Sequence, residues 1–409
     1  MTSHDGAQAQ GPGAVQGQGP GPDQERDQAA DQAADQAAVR RRAAALGATR
    51  TLHRWSAHQP LAARLAALAD AAPEVVGSDE PTDIYGNGVV ARLEGEVARL
   101  LGKEAAAFFP TGTMAQQVAL RCWAGRTGNA TVALHPKAHP EVHEGGALCA
   151  VSGLRTVHPT REPRLPTAEE VRDFQEPFGT LMLELPLRDA GFVLPSWEEL
   201  EEVVEAARER DAVVHFDGAR LWECTPHFGR PLAEIAGLAD TVYVSFYKSL
   251  DGLSGAVLAG PATLVDEARV WRHRYGGQVF QQFPAAVSAL LGLKNTLPRL
   301  PDYVAHARVV AEGLREGFAA AGVPWSRVHP ERPHTHQFQV WLPYDAGALT
   351  EAALGQAEET KTQLFGRWFP DGPPGLSVTE VTVTEAGLEW TAGEVSDAVA
   401  EFVRRIPGR

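Results

Sequence analysis

Lysine is scarce in this chain. Among 37 basic residues only Lys103, Lys137, Lys248, Lys294 and Lys361 are lysines, so chemistry that needs an amine has few candidates. Cysteine is scarcer still, with Cys122, Cys149 and Cys224 odd in number and far apart. They form neither a disulfide framework nor a zinc pattern, and they fit a reducing cytoplasm. Long apolar runs are missing: none reaches the ~18 residues of a membrane span. The first residues carry no apolar h-region of a secretory signal. Positive charge is short as well. The formal net charge is −15, with no basic block, which disfavours a nucleic-acid partner. The expectation is a cytoplasmic globular protein with neither membrane nor nucleic acid as partner.

Hydrophobic residues make up 44% of the 409 and charged residues 22%, a balance that supports a large core. Residues 1–38 are rich in Gly, Gln and Pro and end in a DQAA repeat from Asp27 to Ala38. They hold almost no large apolar side chains, so a disordered tail is expected. Residues 39–82 read as an N-terminal helical segment, and a stronger helix follows over 89–101 with Leu93, Val97 and Leu100 on one stripe. Short apolar runs then recur at 105–109, 131–134, 181–185, 212–216, 241–246 and 256–259, with helical stretches between several of them. The helix over 197–210 opens on Ser196 and Glu199 at capping-box spacing. Such alternation predicts a mainly parallel sheet between helices, an α/β large domain over 83–295. After Pro284 the pattern is helical to about residue 320. Strands over 336–342 and 377–384 and helices over 349–365 and 391–404 predict a smaller C-terminal α+β domain over 296–409.

Three features can carry chemistry. Thr111-Gly112-Thr113 follows an apolar strand and opens a helix, where free N–H groups and the helix dipole favour a phosphate. The same residues also serve as an ordinary strand–helix turn. Asp217, in His215-Phe-Asp-Gly-Ala-Arg220, lies at the end of an apolar strand, where open α/β sheets place ligand groups; its plainer role is a helix cap. Lys248 ends the next buried strand, in Ser245-Phe-Tyr-Lys248. A lysine there is costly unless paired or used, and a Schiff base with pyridoxal 5′-phosphate (PLP) uses it. An anion site, an acid for the pyridinium nitrogen and an imine lysine, in that order, are the minimum set for PLP.

These motifs resemble the threonine aldolase/β-eliminating lyase family, fold-type I PLP enzymes of the aspartate aminotransferase superfamily. The likeness is carried by Pro110-Thr-Gly-Thr-Met-Ala, Ala138-His139-Pro-Glu-Val-His-Glu144, His215-Phe-Asp-Gly-Ala-Arg-Leu221 and the Lys248 region. Ile84-Tyr-Gly-Asn and Leu101-Gly-Lys-Glu-Ala-Ala add to it. It implies a fold-type I PLP large domain and retro-aldol cleavage of a β-hydroxy-α-amino acid. It also implies Lys248 as the PLP lysine and Asp217 on the pyridinium. Arg220 would lie near the PLP 3-oxygen and the substrate carboxylate. Thr111, Gly112, Thr113 and Ser245 would hold the cofactor, and His139 would stack on its ring and act as base. No metal is implied, and the enzyme would be a homodimer or homotetramer. Other PLP reactions (β-elimination, racemisation, transamination, decarboxylation) stay open, as does a non-catalytic binding protein on the same fold.

The substrate side departs from the family. Its Arg-Ser-Asp-Thr segment falls near Leu52–Gln59 without a clear counterpart of the serine. Its Glu-Asn-Thr-His segment is Glu184-Leu-Pro-Leu187. Its C-terminal clamp arginine falls near Val378-Thr-Glu380, with Arg367 as the nearest substitute, and its Gly-Gly-Met-Arg-Gln contact is Gly276-Gly-Gln here. The pattern predicts poor activity on free L-threonine and preference for a larger or differently charged substrate. Three other patterns are set aside. His139 and His143 lack the HExxH order of a zinc helix, Gly86-Asn-Gly88 follows a polar loop rather than a strand, and His334-Thr-His336 is expected to be structural.

Overall fold

A computed structural model describes residues 22–54 and 56–407, with side-chain surroundings from residue 35 onward. Of the tail expected over 1–38, residues 1–21 lie outside the described residues. Helix α1 (Pro22–Gly47) leads into strand β1 (Arg50–Thr51), a single 3-10 turn at Ser56–His58 and helix α2 (Leu61–Ala71). The helical segment expected over 39–82 is therefore interrupted. Arg50 and Thr51 instead pair in parallel with Thr362 and Gln363, a partner no local pattern reveals.

The main sheet has seven strands: β2 (Ala105–Phe109), β3 (Thr131–Ala133), β4 (Arg155–Val157), β5 (Thr180–Glu184), β6 (Val213–Gly218), β7 (Thr241–Ser245) and β8 (Ala256–Gly260). Their order is β2-β8-β7-β6-β5-β3-β4. Only β8 runs against its neighbours, so β2, β5, β6 and β7 all end at one edge. Strands buried on both faces read as unbroken apolar runs, which is why β5 and β7 stand out in the sequence. Helix α3 (Val89–Leu101) buries Leu93, Val97 and Leu101 against this sheet and stops at Gly102, whose φ of 61° suits a left-handed cap. The helix Trp197–Arg208 begins with both bonds of a capping box, from Ser196 and Glu199.

After the main sheet come the helices Phe283–Leu291 and Leu300–Ala320. The second sheet is antiparallel: β9 (Arg327–His329), β10 (Gln337–Leu342), β12 (Phe369–Pro370) and β13 (Ser377–Thr382), in the order β12-β13-β10-β9. Strand β11 (Thr362–Gln363) pairs with β1 outside it. Its core holds Phe318, Phe338, Phe365, Trp368 and Phe402. The fold is the expected α/β architecture, a mainly parallel sheet between helices followed by a smaller α+β unit. No helix among the described residues is long and apolar enough to cross a membrane.

Candidate active site

The chemistry gathers at the edge where β2, β5, β6 and β7 end. Register puts Glu184 opposite Asp217 across β5 and β6, and Asp217 opposite Tyr243 across β6 and β7. Lys248 lies just beyond β7. Parallel neighbours thus bring together groups far apart in sequence.

Asp217 is 1% exposed, and its Oδ1 accepts from the Ala219 amide at 3.1 Å. Burial pushes its carboxyl upward, opposed by Lys248 and His139. Lys248 shows the reverse. Burial, then the Arg220 guanidinium, push its ammonium down to about 8, while Asp217 and Glu184 pull the other way. An amine near 8 holds a few-hundred-fold more free base at neutral pH than an ordinary lysine.

Helix α4 (Gly112–Thr127) starts straight after β2. The Thr111 hydroxyl accepts from the Met114 amide at 3.2 Å. The earlier amides of that first turn have no intrahelical acceptor and are free for an anion. The turn is tightly seated, because a Cβ on Gly112 would lie 2.0 Å from Tyr243 Oη. Thr113 is half-buried at the same turn. Ser245 is buried, and its hydroxyl donates to the Ala219 carbonyl at 2.8 Å, tying β7 to the loop after Asp217.

His139 opens the short helix α5 (His139–Val142), with Nδ1 3.3 Å from Glu144 Oε1. Its ring centroid lies 5.2 Å from that of His143, whose Nε2 is 2.6 Å from Asp189 Oδ2. Each histidine thus has its own carboxylate. Arg220 reaches from the main sheet to the second, where its Nε donates to Gln337 Oε1 at 2.7 Å.

Glu184 is a member of this group that sequence reasoning named only as part of a departure. It is 6% exposed and accepts from the amides of His139 at 2.7 Å and Arg188 at 3.2 Å. Burial, then Asp217, push its carboxyl up to about 7. Its place at the end of β5, one strand from Asp217, was the available signal. Glu380, at the position where the family's clamp arginine was sought, is paired with Arg188 at 2.9 Å. Arg367 is exposed, with its guanidinium 4.9 Å from the Phe369 ring. His336 is buried and lies 2.9 Å from Glu223, and His334 Nδ1 accepts from the Leu194 amide.

The donor set fits PLP. It offers a buried carboxylate for a ring nitrogen, a lysine of lowered pKa and an open helix N-terminus for phosphate. Residues 64–329 match the family model described as beta-eliminating lyase. The low specificity L-threonine aldolase of Escherichia coli K12 is 33% identical over 244 residues, 58% of this chain and 72% of that protein. Two solved structures cover 90% of this chain and 99% of their own. A "putative aromatic amino acid beta-eliminating lyase/threonine aldolase" from Exiguobacterium sp. 255-15 has 33% identity and a TM-score of 0.80. A "putative L-allo-threonine aldolase" from Listeria monocytogenes has 32% identity and a TM-score of 0.79. A structure of SPT with PLP, 19% identical at a TM-score of 0.60, shares the fold.

Proposed function

This chain belongs to the beta-eliminating lyase family, and from that premise we propose that it breaks the Cα–Cβ bond of β-hydroxy-α-amino acids. It is a PLP-dependent carbon–carbon lyase. Bound PLP supplies an electron sink for the pair left on Cα when that bond breaks.

The chain's own residues do the rest. Lys248 would hold the cofactor through Nζ, and its lowered pKa supports that role. Asp217 would keep a proton on the ring nitrogen. Its burial supports this, because a carboxylate withdrawn from water interacts strongly with a nearby cation. Thr111, Gly112 and Thr113 would receive the phosphate on the first turn of α4. Ser245 would hold the lysine-bearing strand against the Asp217 loop. Arg220 would take the substrate carboxylate. His139 would stack on the cofactor and remove the β-hydroxyl proton, with Glu144 beside it to hold the imidazole. Glu184 would fix the start of α5, and so the His139 ring, through the His139 amide.

The observation that carries the reading is a lysine of lowered pKa and a buried aspartate at the ends of adjacent parallel strands. The test is product analysis with L-threonine, L-allo-threonine and 3-phenylserine. Glycine and the matching aldehyde should form in equal amounts. Ammonia and a 2-oxo acid in their place would overturn retro-aldol cleavage. We further infer a cytoplasmic homodimer or homotetramer. Helix α2 supports a second copy, because it buries no residue and leaves Leu61 75% and Leu65 57% exposed. Sedimentation of the holoenzyme tests this.

A further inference from the structure

A cavity of about 390 Å³ lies between the N-terminal segment and the second sheet. At ~30 Å³ per water it has room for roughly a dozen, far beyond the needs of threonine's methyl group. Its wall carries Arg41, Arg54 and Arg367, and among the described residues its lining has one acid, Glu380. That acid is already held by Arg188. Among the described residues none of the three arginines is paired with a carboxylate. Arg54 donates to the Thr49 carbonyl at 3.0 Å, and Arg367 rests near the Phe369 ring. The lining histidines are biased toward their neutral forms. Burial pushes His53 down to about 4 and also lowers His58. On a chain of net charge −15 this is a local excess of cations.

Two chains of contacts join the cavity wall to the groups around Lys248. Lys248 senses both Arg220 and Arg188. Arg188 bonds to Glu380 in the cavity wall. Arg220 bonds to Gln337, whose Nε2 donates at 3.0 Å to Thr382, another wall residue. The cavity wall therefore lies within one or two side chains of the groups around Lys248.

We propose that this cavity receives the distal end of the substrate side chain, and that the end carries a second anionic group, a carboxylate or a phosphate. The proposal rests on the lyase reading above. The reaction balances: the Cα–Cβ bond breaks, the β-hydroxyl gives up its proton and Cβ becomes an aldehyde. Cα takes a proton, which leaves glycine and an aldehyde that keeps the anion. A second anion held by arginines also substitutes for the binding energy that the family's missing clamp arginine would provide.

The test compares kcat/KM on three substrates: 3-hydroxyglutamate, 4-phosphooxythreonine and neutral 3-phenylserine. One of the two anionic compounds should exceed 3-phenylserine at least ~10-fold, the effect of one charge-assisted contact, and the better of the two identifies the anion. Arg54→Gln and Arg367→Gln should each cut the anionic-to-neutral ratio about 10-fold, and Arg367→Lys should restore much of it. Calorimetric titration of the holoenzyme with glutarate or inorganic phosphate gives a readout independent of turnover, and heat should be lost in the doubly substituted protein. Preference for 3-phenylserine, or an unchanged ratio in the variants, would overturn the proposal. Cleavage of 3-phenylserine with no anion binding would sink it while leaving the lyase reading intact. Anion binding without cleavage of any of the three would overturn the lyase reading, and the substrate assignment with it.

Discussion

Replacing Gly112 with alanine tests whether the first turn of α4 is held at a fixed depth. The added Cβ would sit 2.0 Å from Tyr243 Oη and 2.7 Å from its Cζ, against 3.4–4 Å for ordinary contact. Helix or ring must therefore move by more than an ångström. Tyr243 is 3% exposed and lies on a central strand, so the ring has little room. Overpacking costs about 1–3 kcal/mol. Alanine's better helix propensity returns about 0.5–1 kcal/mol, so a net loss of up to about 2.5 kcal/mol remains. The same shift misaims the Gly112 and Thr113 amides at the phosphate. A lost charge-assisted bond of about 1.5–3 kcal/mol weakens PLP affinity about 10- to 150-fold. Equilibrium dialysis for PLP and urea unfolding read the two effects separately. Tyr243→Phe removes Oη but leaves the ring carbon, so the double variant should recover part of both losses. A Gly112→Ala protein with wild-type stability and PLP affinity would refute the reasoning. So would a double variant no better than the single one.

Borohydride reduction of the holoenzyme followed by peptide mapping should label Lys248, and Lys248→Ala should lose turnover; label on any of the other four lysines would remove the assignment. Asp217→Asn keeps the shape but not the charge, and kcat should fall at least ~10²-fold; a wild-type rate would reduce Asp217 to a cap on the Ala219 amide. Glu184 makes stability pH-dependent. Its carboxyl is pushed up to about 7 in the fold, so the native state binds the extra proton, and the contribution is complete below the ordinary value of ~4.3 and lost as pH rises through ~7, for up to about 4 kcal/mol. Glu184→Gln should flatten that part of the urea-stability profile of the cofactor-free protein, and an unchanged slope would show that another group carries it.

The parts legible in the sequence share one property: neighbours in the chain decide them. The buried strands show as apolar runs, and the capping box at Ser196 and Glu199 shows as a spacing. Asp217 and Lys248 show because each sits where such a run ends. What stayed hidden depends on residues that meet only after folding. The pairing of β1 with β11 joins two residues to two others more than half the chain away, too short to leave a periodic trace. Arg188 and Glu380 are 192 residues apart and read singly as surface charges. Glu184 belongs with Asp217 only through the order of β5 and β6 in the sheet. The region after Pro284 reads as one helix, yet a π turn at Gly292–Thr296 and a 3-10 turn at Leu297–Arg299 separate two. A Cβ on Gly292 would meet the Leu250 backbone at 2.6 Å, a tertiary contact that no propensity encodes.

The same division bears on why the cofactor side matches the family's motifs in the sequence while the substrate side reads as a departure. Thr111, Asp217 and Lys248 are fixed by the ends of strands in one sheet, whose register tolerates little change because a slip turns every side chain to the wrong face. Glu380 and Arg367 come from the second sheet and the turn before it, and Arg41 and Arg54 from the N-terminal segment. These elements meet the main sheet through side-chain contacts such as Arg220–Gln337 and Arg188–Glu380, which substitution can rewire without unfolding a strand. An acid where the clamp arginine was sought reverses the charge at that point, and Arg188 neutralises it. On the proposed reading Arg220 alone would take the α-carboxylate. Three arginines that have no carboxylate partner among the described residues line the cavity beyond. On the proposed placement the arginines stand at the far end of the substrate, so selectivity should follow the distal group more than the amino-acid head.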